Sequence, residues 1–242
     1  MDTNKTVILS FASKGREDYH KGLLRLMQSV RDNTDYDGMF WSLDNNTTEH
    51  AGFPVICCNG IYPQPKEFQI KSHQEVPYQF KLGCMQIARE CGYKKIIWLD
   101  SSIQIVKNMD ELFLKSPIIA FDNLGHPLKN YISDVTLYNM CVGSELEQMK
   151  QTWGGATGWD FGNKITENIF QALLHQSMIG SFNEGGSKRD GFIAHRHDQA
   201  VMSVLFNINN VPLLPYGTIV TAPHYKEPFE YGRDFYLIHK GV

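Results

Sequence analysis

The sequence predicts an α/β domain with a mostly parallel central sheet flanked by helices, and three observations carry that expectation. Short apolar runs alternate with segments of helical period along the chain. The run Ile96-Ile97-Trp98-Leu99 is apolar at successive positions, as a strand buried on both faces requires. Finally, 242 residues of which 42% are apolar suffice for a large core without disulfide or metal staples. No internal repeat, low-complexity tract or linker interrupts the pattern, so residues 1–242 read as a single domain.

The elements follow in order. Val7 to Phe11 is a buried strand, Ala12 to Arg16 a small polar loop, and Tyr19, Leu23, Met27 and Val30 form the inner stripe of a helix. Met39 to Leu43 and Pro54 to Cys58 are further strands, followed by a connector that Pro63, Pro65 and Pro77 keep irregular. Phe80, Cys84, Ile87 and Cys91 repeat at helical spacing, and Gly92 is placed to end that helix. Lys94 to Leu99 is a central strand that delivers Asp100 to its carboxyl end. Ile103 to Val106 continues extended, Asp110 to Leu114 is a helical turn, and Ile118 to Phe121 is a strand. Helices are expected at Glu145 to Gln151, Ile165 to Met178 and Gln199 to Ile208, and a last strand, Phe235 to Ile238, ends at His239.

Composition excludes some functions. With 23 Lys plus Arg against 26 Asp plus Glu, a net charge of −3 and no basic run, the chain offers no sequence-independent grip on nucleic acid. The N-terminal stretch has no basic region followed by a long apolar segment, and nowhere do about 18 apolar residues run together, so neither export nor a membrane span is expected. The five cysteines are odd in number and lack metal spacing, which fits reduced thiols and a cytoplasmic location. The overlapping sequons at Asn45 and Asn46 then read as a polar loop.

Several constellations could carry chemistry. Asp100-Ser101-Ser102 follows a central strand, where open α/β sheets bind ligands, although Asp100 also suits a cap of the next turn. His195-Arg196-His197-Asp198-Gln199 crowds charge ahead of a helix whose free N–H groups favour anions or hydroxyls, with Asp198 equally suited to an N-cap. Gly154 to Gly162 is glycine-rich without a phosphate-loop pattern. It is either a flexible connection or a loop presenting Trp153 or Trp159 to a sugar face. Lys81, near a helix start, opposes the helix dipole unless an anion compensates it; it is otherwise a solvated lysine.

Pro77-Tyr78-Gln79-Phe80-Lys81, Gly92-Tyr93 and Ile97-Trp98-Leu99-Asp100-Ser101-Ser102-Ile103, with Leu112-Phe113 beyond, resemble the nucleotide-diphospho-sugar transferase superfamily, the GT-A glycosyltransferases. The resemblance spans roughly residues 6 to 240 and implies a Rossmann-like GT-A domain. It implies transfer of a hexosyl or deoxyhexosyl group from a nucleotide-diphosphate sugar to a hydroxyl-bearing glycan or other acceptor. It also implies Mn²⁺ or Mg²⁺ at Asp100, with Ser102 a weak ligand because it stands where the motif has its second Asp. His239 is the further ligand, His224 the second choice. On the same carry-over Ser10, Phe11, Ala12 and Ser13 contact the base, Lys81, Asp100 and Ser101 hold the donor, and Trp159 and His197 face sugar or acceptor. Asp198 or Asp134 then serves as general base if the reaction inverts. Two other readings stay open: a non-catalytic nucleotide- or glycan-binding protein of the same fold, and a metal-dependent hydrolase using His195, His197 and Asp198.

Overall fold

The computed structural model describes residues 5–13, 17–43, 47–216, 220–221 and 235–240. The expectations placed on Asn45, Asn46 and His224, and on the loop at 14–16, lie outside these residues.

The sheet is built around β1 (Thr6–Ala12), buried along its whole length. It lies between β2 (Asp37–Ser42) and the later strand at Lys95–Leu99, parallel to both. β3 (Glu49–His50) and β4 (Phe53–Cys57) extend the β2 side, and Lys95–Leu99 is β5. β6 (Ile103–Ile105) leaves this sheet, whereas β7 (Ile118–Pro127) rejoins it. β8 (Lys150–Thr152) pairs with β7, and β9 (Ala156–Asp160) runs antiparallel between β5 and β7. β10 (Leu213–Leu214) closes the far edge, parallel to β7. A small second sheet joins β11 (Val220–Thr221), β12 (Leu237–His239) and β6.

Strand alternation divides the core into two layers. Val7, Leu9 and Phe11 face α2 (Gln79–Glu90), α5 (Lys164–Met178) and α6 (His197–Ile208). Ile8 and Ala12 face the opposite way, toward α1 (Glu17–Asn33) and α3 (Asp110–Phe113). The predicted stripe of α1 holds, with Leu23, Met27 and Val30 fully buried. Gly92 ends α2 with φ +93°, a conformation that favours glycine. No helix among the described residues is long and apolar enough to cross a membrane.

Three expectations change. The segment Glu145 to Gln151 is a 3₁₀ turn, Ser144–Gln148, leading into β8. The Thr152 N–H donates to Ser203 Oγ and its hydroxyl donates to the Phe121 carbonyl, so tertiary pairing overrides the local helical pattern. The middle of the glycine-rich stretch, Ala156–Asp160, is a strand rather than a loop. A Cβ at Gly158 would come within 2.7 Å of Ile119, so glycine lets β9 sit closely between its neighbours. Finally, the strand at Ile118 runs on to Pro127, well past Phe121.

Candidate active site

The carboxyl ends of β1 and β5 and the N-termini of α2 and α6 converge on one crevice. Trp98 and Asp100 share parity along the strand, so both point toward α2, and the Trp98 indole N–H donates to Asp100 Oδ1 at 2.8 Å. From the first turn of α2, Lys81 reaches the same crevice and is only 6% exposed. Its Nζ lies 3.3 Å from Asp100 Oδ1 and 3.2 Å from Asp198 Oδ2, and donates to the Gly154 carbonyl at 3.0 Å. Lys81 is therefore not a solvated lysine. Asp198 sits in the first turn of α6, but its carboxylate meets Lys81 instead of capping the helix.

Burial alone would lower the Lys81 pKa, but Asp100 and then Asp198 outweigh it and the net direction is upward. Burial raises the Asp198 pKa; Lys81 pulls it back and Asp100 pushes it up again, leaving it above the ordinary carboxylate value. Both helices enter through a non-glycine residue in the left-handed region, Tyr78 at φ 62° and His197 at φ 45°. Such conformations cost about 1–2 kcal/mol each and persist where surrounding contacts enforce them. Tyr78 is held by its N–H to His73 Nδ1, and the His197 ring donates from Nδ1 to the Phe182 carbonyl.

Three adjoining cavities occupy this crevice. The first, about 230 Å³, is lined by Phe11, Ser13, Tyr78, Lys81, Asp100 and Ser102 among others. The second, about 280 Å³, shares Tyr78, Lys81 and Asp100 with it and adds His197, Asp198 and Gln199. The third, about 530 Å³, shares Trp153, Arg196 and Gln199 with the second. His239 borders all three. Its place follows from β12 pairing antiparallel with β6, which sets His239 opposite Ile103 and lets Lys240 N–H donate to the Ser102 carbonyl.

Of the residues expected at a site, Phe11, Ser13, Lys81, Asp100, Ser101, Ser102, His197, Asp198 and His239 border these cavities. Others do not. Ser10 and Ala12 lie buried within β1 and border none of the three cavities; the Ser10 hydroxyl, at 0% exposure, has no hydrogen-bond partner among the described residues. Asp134 borders none of the three cavities; on α4 (Asp134–Asn139) it accepts from Ser187 Oγ and lies 3.6 Å from Arg189 Nε. Trp159 is fully buried against Phe170 and Phe206, because its β9 register puts it beneath α5 and α6. Trp153, half-buried just before the Gly154-Gly155 turn, borders the second and third cavities, whereas Trp98 borders the first.

The hydrolase set does not assemble either. His195 Nδ1 accepts from Ser133 N–H, so its Nε2–H donates to the Ser181 carbonyl and neither nitrogen is left for a metal. Burial, then the neighbouring His197, pushes the His195 pKa down to about 4, so it serves as a neutral structural hub. Sequence reasoning missed Tyr78 and the Gly154 carbonyl as parts of the site; Tyr78 adjoins Lys81 in the quoted motif, but nothing in the sequence marks the carbonyl.

No protein-family model and no curated protein sequence matches this chain. Among solved structures, the apo form of the WbbM bifunctional glycosyltransferase is similar, with a TM-score of 0.59 and 14% identity. The match covers 100% of this chain and 46% of WbbM, so the chain spans less than half the length of that protein. The likeness concerns the fold: a mixed α/β domain whose mostly parallel sheet is flanked by helices has the architecture found within a glycosyltransferase.

Proposed function

We propose that this protein is a GT-A glycosyltransferase that moves a sugar from a nucleotide-diphosphate donor to a hydroxyl acceptor. The observation that carries the reading is Lys81, held between Asp100 and Asp198 where the first two cavities meet. The nucleotide is assigned to the cavity of Phe11 and Ser13, the sugar to that of Asp198, and the acceptor to that of Trp153. As the glycosidic bond breaks, negative charge grows on the departing diphosphate, and a fixed ammonium there stabilises the transition state more than the ground state.

Asp198 is the proposed general base. Burial has raised its proton affinity, and it takes the acceptor hydroxyl proton as the new glycosidic bond forms and the bond to the diphosphate breaks. Asp134, which borders none of the three cavities, takes no part in the proton transfer in this reading.

A divalent cation fits under one condition. Among the described residues no three His, Cys, Asp or Glu side chains group as a metal centre, but Asp100, Ser102 and His239 border one cavity. One carboxylate, one hydroxyl and one imidazole suit Mn²⁺ or Mg²⁺ whose remaining ligands are phosphate oxygens and water. Bound there, the cation would neutralise charge on the diphosphate. The local balance supports this: with both carboxylates ionised, Lys81, Asp100 and Asp198 sum to −1, which repels a diphosphate arriving alone.

The test is release of free nucleotide from a panel of nucleotide-diphosphate sugars, with Mn²⁺ and with a chelator. Turnover that Asp100→Asn abolishes supports the transferase. Donor binding without turnover, with or without acceptor glycans, would instead favour a binding module.

A further inference from the structure

The third cavity differs in charge from the two beside it. Among the described residues no Asp or Glu lines it, whereas Arg196, His126 and His239 do. The Arg196 guanidinium lies 5.6 Å from the Tyr131 ring centroid, its main-chain N–H donates to the Tyr131 carbonyl, and no carboxylate among the described residues pairs with it. Gln151 lines the same cavity and is 1% exposed; its Oε1 accepts from Asn123 Nδ2 at 2.7 Å, while its Nε2 has no hydrogen-bond partner among the described residues. Exchanging O and N in both amides preserves that bond and strands the other atom of Gln151, so one buried polar atom is unpaired in either assignment. An unpaired buried amide is costly and marks a place where a ligand or water completes the bonding. Trp153, edge-on to Tyr216 at 4.9 Å, supplies an aromatic wall.

From these features we infer that this cavity binds a sugar residue carrying an anionic group, a carboxylate or a phosphate; its role as the acceptor end rests on the glycosyl-transfer reading above. The aromatic wall takes the apolar face of the ring, the Gln151 amide pairs with a ring substituent, and Arg196 takes the anion.

Trp153 is a local reporter, because Trp41, Trp98 and Trp159 are at most 2% exposed. Tryptophan fluorescence is titrated with methyl β-D-glucuronide, glucose 6-phosphate, methyl β-D-glucoside and inorganic phosphate. At least one anionic sugar should bind about fivefold or more tighter than the neutral glucoside, a modest share of what a charge-assisted bond contributes, given that Arg196 is exposed. Which of the two binds separates carboxylate from phosphate. Arg196→Gln should bring the anionic sugars to the level of the glucoside, Gln151→Leu should weaken all three sugars, and Trp153→Phe should remove the signal. The inference is overturned by equal binding of the glucoside, by a preference that survives Arg196→Gln, by inorganic phosphate matching glucose 6-phosphate, by a signal that persists in Trp153→Phe, or by no response. Nucleotide release in the same preparations reports separately on transfer: sugar binding without it sinks the transferase and leaves this cavity standing, and the reverse result does the opposite.

Discussion

Removing the Lys81 ammonium should expose how the site is held together. Lys81→Met keeps the stem and leaves Asp100 and Asp198 facing each other. Asp198 is 5% exposed, so its ion pair, at 3.2 Å, is the costly one to break. An effective dielectric of about 20 gives a Coulomb interaction of about 5 kcal/mol at this distance, and stripping one partner from a buried pair typically destabilises by about 3–5 kcal/mol. The Asp100 side chain is 39% exposed, so solvent screening limits its share to about 1 kcal/mol or less. With Lys81 gone, burial and Asp100 push the Asp198 pKa still higher. A group whose folded pKa is raised contributes stability below its ordinary value of 3.8, and that contribution is lost as pH rises through the folded pKa. The variant should therefore lose about 3–5 kcal/mol at pH 8 and less at pH 5. Urea unfolding followed by circular dichroism at both pH values measures this, and Lys81→Met/Asp198→Asn should recover at least about 2 kcal/mol at pH 8. A loss below about 1 kcal/mol at pH 8, or the same loss at both pH values, would refute the ion-pair reasoning.

Ser102→Asp adds a hard oxygen donor beside Asp100, so calorimetry should show tighter nucleotide diphosphate binding with Mn²⁺ and weaker binding with a chelator; weaker binding in both would remove the cation from the proposal. His195, held neutral with a pKa near 4, supports folding by up to about 3 kcal/mol above pH 6.5, lost as pH falls toward 4; His195→Gln should flatten that dependence in urea unfolding. Trp159→Ala should cost about 3–5 kcal/mol of stability, whereas Trp153→Ala should change stability little and weaken saccharide binding, as thermal melts and titration would report.

Much of the layering was legible in the chain. Continuous apolar runs and helical spacing marked α1, α2, β1 and β5 within a few residues, and the change from Leu99 to Asp100 marked the end of a buried strand. Asp100, Lys81 and Asp198 were each visible as candidates, because a charge beside an apolar strand or at a helix start stands out locally. Their union was not visible: only the packing of α2 and α6 on the same face of the sheet brings both carboxylates to one ammonium. The choice between Trp153 and Trp159 likewise belongs to tertiary structure. Gly154 and Gly155 just before β9 and Gly158 within it leave few side chains to show the phase of its alternation, and pairing with β5 and β7 then turns Trp159 into the core. Asp134 and Asp198 were both candidate carboxylates and both lie in the first turn of a helix, yet one meets Arg189 and the other Lys81. Local spacing determines which faces of an element are apolar, while the partner of a charged group depends on long-range packing that no single segment encodes.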